Sequence, residues 1–419
     1  MNKIEKIIYN IVKSTPWLKQ TIRNSYQSFF DLLPRQKEFF KNPIEFKENY
    51  FFGFHDKSPF SNDMKKVLAN HTSIPLRIPA KDEKLDVGYF HWKHEKFGEF
   101  VKIGESFSWN YHKGCRLQWI DSERLIYNTS IKNELCSVIV NINTLKEITI
   151  NYPIDTVSKN GNYATSFSYE RLQKFMPGYG YAGYNDAYSF LNETAPEETG
   201  IYLIDLRNNN RQLLVTLNDL ANDLNDLSIK EKFKHYVTHT EFSTDGKYIS
   251  FLHRWIGDDT QKRTSRLVIY DMENTTFKAL PTGGMVSHYI WNEKNQVIAY
   301  CNIDGVDCHA LFDIIKGNYK KICTNKLNSD GHQSIISDSK FVTDTYPDKF
   351  RMAKLYEVDI KTDMPQLIAS VYSPKKFQTK DFQQHIACDL HPRVSPDKKF
   401  VCYDSSRTGK RGLYIMPLQ

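Results

Sequence analysis

The sequence predicts an all-β fold, a seven-bladed β-propeller with a short N-terminal helical extension. Three observations predict it. Aromatic residues make up 14% of the chain, with 25 Tyr and 26 Phe, and such side chains favour pleated, half-buried strands. From residue 50 onward, short runs rich in Val, Ile, Tyr and Phe alternate with Asp, Gly, Asn and Ser turns. One strand–turn–strand unit then recurs seven times, at a period characteristic of propeller blades.

The clearest copies are HTEFSTDGKYISFLHRW (239–255), followed by RLVIYDMEN, and HPRVSPDKKFVCYDS (391–405), followed by RGLYIMPL. Weaker copies begin at His55, Cys115, Asp155, His288 and His332. The turns between first and second strands fall near residues 62, 122, 160, 245, 293, 338 and 397. Most steps are about 40–60 residues, the span of a four-stranded blade. The step from 160 to 245 is longer, so blade three carries insertions over about 171–196 and 217–236. The first contains the Gly/Tyr-rich run MPGYGYAGYND, and blade insertions commonly line a binding face. A large β-sandwich, the alternative fold, offers no reason for a sevenfold repeat.

Residues 1–49 precede the repeats and form the helical arm, leaving 50–419 for the propeller. Within 1–33, Ile4, Ile7, Ile8, Ile11 and Val12 recur at helical spacing, beside Lys3, Lys6, Lys13, Lys19 and Arg23. Such an element packs across the propeller or rests on an anionic membrane face. The formal charge of +7 suits an acidic ligand, and no zinc-finger spacing, RNP-like segment or long basic run points to nucleic acid. Seven scattered cysteines without a CxxC pair read as free thiols in a reducing compartment. With no secretory leader or spanning segment legible, the expected location is the cytoplasm, at most peripheral to the inner membrane face.

The chemistry is expected where histidines fall in register. His239, His288, His332 and His391 open the first strands of four successive units, each five or six residues before its turn residue. His55 stands similarly in the first unit. First strands line a propeller's channel, so these imidazoles converge on one pocket. Neutral imidazoles beside a carboxylate suit Mn, Zn or Fe, and Asp389 shares a strand face with His391. The expected metal set is therefore His288, His332, Asp389 and His391. Arg116, Arg393 and Asp344 are candidate substrate-binding residues, since guanidinium groups among histidines suit a carboxylate or sulfate. Arg254 and Tyr346 join them near strand ends. Trp109, Trp119, Trp255 and Trp291 are core or sugar-stacking residues. There is no GxSxG, P-loop or Rossmann glycine run.

The units HTEFSTDGKYISFLHRW, SHYIWNE, DGHQS and DLHPRVSPDKKFVCYDSSRTGKRGLYIM resemble the blades of oligogalacturonate lyases and, more broadly, TolB-like propellers. The likeness is strongest over residues 235–419. It implies a seven-bladed propeller that holds a divalent cation, typically manganese, and cleaves short uronate oligosaccharides by β-elimination. By that resemblance His288 is the first cation ligand and His391 the last, and His239 and Arg254 fall near the catalytic His and Arg. This chain departs from the pattern at Asp389, where the family has His, and at Ile386, where it has Gln. The expected roles are His239 as base, Arg254 or Arg393 at the carboxylate, and Tyr346 or water as acid. The expected partner is an acidic glycan. The alternatives are a non-catalytic glycan-binding scaffold or another glycan-modifying enzyme in surface-polysaccharide assembly.

Overall fold

The structure, a computed structural model, describes residues 30, 33–257, 263–327, 329–379 and 385–418. These residues form seven antiparallel sheets, the blades of a β-propeller. Blade 1 comprises Tyr50–Phe51, Lys66–His71, Leu85–Lys93 and Lys96–Ser106, and blade 2 Gln118–Trp119, Arg124–Ile131, Glu134–Asn141 and Glu147–Ile150. Blade 3 has Tyr163–Ser166, Gly200–Asp205 and Asn210–Thr216. Blade 4 runs through Lys234–Phe242, Tyr248–Ile256, Arg263–Asp271 and Thr276–Ala279, and blade 5 through Val286–Trp291, Gln296–Ile303, Val306–Asp313 and Asn318–Ile322. Blade 6 holds Gln333–Ser337, Lys340–Asp344, Met352–Asp359 and Met364–Tyr372, and blade 7 Arg393–Val394, Phe400–Ser405 and Gly412–Pro417.

The repeated turn has one chemical plan. The hydroxyls of Ser61, Ser158, Ser243 and Ser395 donate to Asp63, Asn160, Asp245 and Asp397, two residues on, at 2.6–2.8 Å. Each also accepts the N–H five residues on, at 2.9–3.0 Å. This closes the turn locally, so the pattern recurs wherever a Ser-x-Asx sequence meets two apolar strands. The residue three after each Ser has positive φ, from 58° at Met64 to 75° at Gly246. Glycine takes that conformation without strain.

The N-terminal stretch corrects the helical-arm assignment for residues 34–49. Glu45–Glu48 is the outer strand of blade 7, paired with Gly412–Pro417, and Phe39–Phe40 adds a fifth strand to blade 6. Phe46 stacks on Tyr414 with ring centroids 5.0 Å apart. The physical reason is the open edge left by the last C-terminal strand, whose free N–H and C=O groups recruit any extended segment that can pair. Chain ends thus close the ring. The amphipathic run within 1–33 lies almost wholly outside the described residues. Among the described residues no helix is long and apolar enough to cross a membrane. All seven cysteines are buried and free. Trp109, Trp255 and Trp291 are buried core residues, and the Trp119 Nε1–H donates to the Pro59 carbonyl at 3.0 Å.

Blade 3 departs from the repeat through two insertions. The first carries α1 (Tyr169–Phe175) and the Gly/Tyr-rich loop. Arg171 fastens it by donating to the carbonyls of His235, Ser189, Phe190, Glu193 and Thr194 at 2.6–3.0 Å. The second carries α2 (Leu217–Asn222) and α3 (Leu227–Lys232). They are latched to blade 4 by a directional chain. Arg266 Nε donates to His253 Nδ1 at 3.1 Å, so His253 carries its proton on Nε2 and passes a hydrogen bond to His235 Nδ1 at 2.9 Å. His235 Nε2 then donates to the Ile229 carbonyl at 3.3 Å. Every imidazole nitrogen is used once, with no room for another proton.

Burial accordingly pushes His235 down to about 4 and His253 well below its ordinary value. The unfolded chain therefore binds more protons between pH 6.5 and 4. Stability is complete above about pH 6.5 and falls as pH drops toward 4, by on the order of 3 kcal/mol from His235 alone. Thermal midpoints measured from pH 7 to pH 4 should fall, and fall less steeply in His235→Gln, which cannot take the proton.

Candidate functional site

The register histidines converge because the backbone is bent to aim them. The first strand of blade 4 has an irregularity between Thr238 and Glu241, and His239 sits in it at φ 55°. A bulge re-aims a side chain that a regular strand would turn away. The strain is held on both sides: the Tyr289 hydroxyl donates to the His239 carbonyl, and Thr240 N–H donates to Asp155 Oδ2 at 2.9 Å. His391 is also left-handed, at φ 45°. Its N–H donates to Asp344 Oδ2 at 2.9 Å and its carbonyl accepts from Arg393 Nε at 2.7 Å. Clamped backbone outliers of this kind cluster at functional sites.

Phe54 occupies the centre of the ring. Its ring lies 4.5 Å from His55, 5.5 Å from His112, 4.7 Å from His239, 6.1 Å from His288, 6.0 Å from His332 and 5.2 Å from His391. Packed against it is a buried charge cluster. Lys113 Nζ, 5.5 Å from the Phe54 ring, donates to Asp155 Oδ1 at 2.7 Å. Arg116 Nε lies 3.0 Å from that oxygen, and its Nη1 and Nη2 donate to Asp56 at 3.0 and 2.5 Å. Burial pushes the Asp155 carboxyl up, but Arg116 and Lys113 beside it hold it below its ordinary value.

Four residues bring ligand atoms within 4.8 Å of one another: His112, His332, Asp389 and His391, all buried. Both nitrogens of His112, Nε2 of His332, Nε2 of His391 and Oδ2 of Asp389 have no hydrogen-bond partner. Buried polar atoms are rarely left so. His332 shows how its unpaired nitrogen is directed. Asp344 Oδ1 accepts from His332 Nδ1 at 2.9 Å and from its backbone N–H at 2.7 Å, which leaves Nε2 facing the group. A carboxylate behind a ligand imidazole fixes its tautomer and orientation in this way. Burial, with neighbouring imidazoles, holds His112 and His391 well below their ordinary values, so both are neutral donors. Burial pushes Asp389 up to about 6. Three imidazole nitrogens and one carboxylate oxygen fit a borderline divalent cation.

This set overlaps the expected one at His332, Asp389 and His391, and replaces His288 by His112. His288 is close, its ring 3.9 Å from that of His332, but it is not in the group whose ligand atoms lie within 4.8 Å of one another. His112 lies three residues before Cys115, where the second unit begins, off the register of strand starts, so no spacing marked it.

Three expected substrate contacts are corrected. Arg116 is 4% exposed and its guanidinium is consumed by Asp56 and Asp155. Arg393, fully buried, is held 3.1 Å from Asp404 and serves His391's carbonyl. Asp344 gives its oxygens to His332 and His391. All three are thus engaged mainly with protein groups, Arg393 Nη2 through its ion pair with Asp404 alone.

Arg254 and His239 differ. Arg254 is buried, its Nε has no partner, and its Nη atoms reach only Met176 Sδ at 3.5 Å and the Ser287 carbonyl at 3.3 Å. No carboxylate neutralises it among the described residues. His239 has neither nitrogen paired, and burial, with Lys113 and Arg254, keeps it neutral. Tyr346, 37% exposed, has its ring 6.0 Å from His332. It rims a cleft of about 130 Å³ whose lining includes Arg351, Phe377, Gln378, His385 and Asp389. The cleft thus reaches Asp389, one of the four clustered residues.

No protein-family profile matches the sequence, and no curated protein sequence matches it. Among solved structures, the chain is similar to an oligogalacturonate lyase from Vibrio parahaemolyticus, at 13% identity and TM-score 0.58, over 92% of this chain and 99% of that one. It is similar to an oligogalacturonate lyase in complex with manganese, at 15% identity and TM-score 0.61, over the same shares. It also matches the tricorn protease at 12% identity and TM-score 0.50, over 89% of this chain and 34% of that one. At these identities the likeness is one of fold, and the fold is the propeller that the repeats predict.

Proposed function

We propose that the cleft binds an acidic, uronate-containing oligosaccharide and that, with a divalent cation held by His112, His332, Asp389 and His391, the protein cleaves it by β-elimination. One observation supports this reading above others: four buried residues aim unpaired nitrogens and a carboxylate oxygen at one another, and one of them, Asp389, lines an open cleft. The likeness to lyase propellers favours manganese as the cation. When bound, the cation supplies Lewis-acid charge that offsets the substrate carboxylate and acidifies the neighbouring C–H. Arg254 adds a second cation, a buried guanidinium with free donor capacity, for the same carboxylate. His239 is the base: neutral and unpaired, it can accept the C5 proton. Asp344 holds His332 and His391 in orientation, and Tyr346 meets the ligand at the rim.

Manganese-loaded protein incubated with oligogalacturonates should generate the ultraviolet absorbance of an unsaturated uronate. EDTA should abolish it, and His239→Ala should lower kcat by roughly 10²- to 10⁴-fold. Tight glycan binding without any such product would overturn the lyase reading in favour of a binding propeller.

A further inference from the structure

The Gly/Tyr-rich insertion of blade 3 buries three tyrosines, and they are not used alike. Tyr181 accepts a hydrogen bond from Asn128 Nδ2 at 2.7 Å and stacks on Tyr169 with centroids 4.4 Å apart. Tyr184 is hydrogen-bonded to Ser130 at 2.8 Å and lies within 2.9 Å of the Lys81 and Phe107 carbonyls. Those two hydroxyls anchor the insertion to blades 1 and 2. Tyr179 is as buried, at 6% exposed, yet its hydroxyl bonds to no described residue. Its ring lies instead at the metal-ligating group: 4.1 Å from His112, 5.1 Å from His385 and 6.1 Å from His239.

The backbone around Tyr179 is built for that placement. Gly178, at φ +88°, lies so close to His385 that a Cβ would stand 2.7 Å from that residue's Cβ. Gly180 lies against α1, where a Cβ would come within 2.3 Å of the Tyr169 carbonyl oxygen. Gly178 N–H donates to Gln173 Oε1 at 3.1 Å, and the Gly180 carbonyl accepts from Asn110 Nδ2 at 3.0 Å. Tyr179 is therefore gripped on both sides, and its phenol is the part left without a structural task.

We propose that Tyr179 is the proton donor to the departing glycosidic oxygen, an inference that rests on the β-elimination reading. In that step His239 takes the C5 proton, the C4–O bond breaks as the C4–C5 double bond forms, and the Tyr179 hydroxyl proton passes to the departing oxygen. Water restores the phenol and His239 returns its proton to solvent. Tyr179 stands between the ligand group and the base, as a donor to the β-oxygen must, whereas Tyr346 lies outside on the rim. A tyrosine phenol within reach of the departing oxygen can serve as a general acid.

The test compares wild type, Tyr179→Phe and Tyr181→Phe, all manganese-loaded, on trigalacturonate and on a uronate whose C4 oxygen carries a dinitrophenyl group. The dinitrophenolate departs without a proton. Tyr179→Phe should lose about 10²- to 10⁴-fold in kcat on trigalacturonate and stay within a few-fold of wild type on the aryl substrate, with manganese content unchanged. Tyr181→Phe should show no such split between substrates. Equal losses on both substrates, or no loss on either, would overturn the role of Tyr179 while leaving the lyase reading intact. A wild type inactive on both would overturn the reading and this proposal together.

Discussion

Asp389→Ala should cost the protein its divalent cation while sparing its fold. Its Oδ2 has no hydrogen-bond partner and lies 3.6 Å from His112 Nδ1, beyond hydrogen-bond reach. Burial of an unpaired carboxyl is unfavourable, and it pushes this one up to about 6. The metal-free variant should therefore melt no lower than the metal-free wild type. Manganese raises the melting temperature of the form that binds it by mass action, so wild type should gain stability on adding the ion and Asp389→Ala should not. Loss of affinity should exceed the roughly 10- to 100-fold typical of an outer-shell change. That smaller loss is the expectation for Asp344→Asn, which loosens His332 and His391 without removing a ligand. Atomic absorption on dialysed protein and thermal scans with and without EDTA measure both. Equal manganese retention in Asp389→Ala and wild type would remove the basis for the ligand set.

Arg116→Ala should be the most destabilising single change near the channel. The side chain is buried against Asp56 and Asp155, and Asp155 has Lys113 as its other close cation. Breaking a buried pair by deleting one partner leaves an uncompensated charge and costs about 3–5 kcal/mol. Asp155 also binds Thr240 through its N–H and hydroxyl at 2.9 and 2.8 Å, beside the strained His239. The damage should thus reach His239, the proposed base, and chemical denaturation should report a lower midpoint together with weaker ligand binding. Arg116→Ala with wild-type stability would show that the charge cluster is not a brace.

The repeat made much of this legible. Turns of this kind close through bonds within five residues, four of them as Ser-x-Asx, so the seven strand–turn–strand units announce seven hairpins whatever surrounds them. The strand starts at His239, His288, His332 and His391 carry their register for the same reason, and the structure does bring those imidazoles around one axis. Roles were less legible. Arg116, Arg393 and Asp344 look like ligand contacts in one dimension, because nothing in the sequence says that Asp56, Asp404 or the His391 backbone will take up their polar groups. His112 and Tyr179 carried no periodic signal, since one lies off the strand-start register and the other in an insertion.

Local chemistry alone therefore determined the blade unit, its count and the histidine register, since turn hydrogen bonds and alternating apolar strands act over a few residues. Tertiary structure decided the rest. It closed the ring with Glu45–Glu48, placed His112 rather than His288 with His332, Asp389 and His391, and separated polar atoms already paired from those left unpaired. That separation depends on which side chains meet across blades far apart in sequence. In a buried channel, a donor or acceptor is available for chemistry only where no such partner arrives.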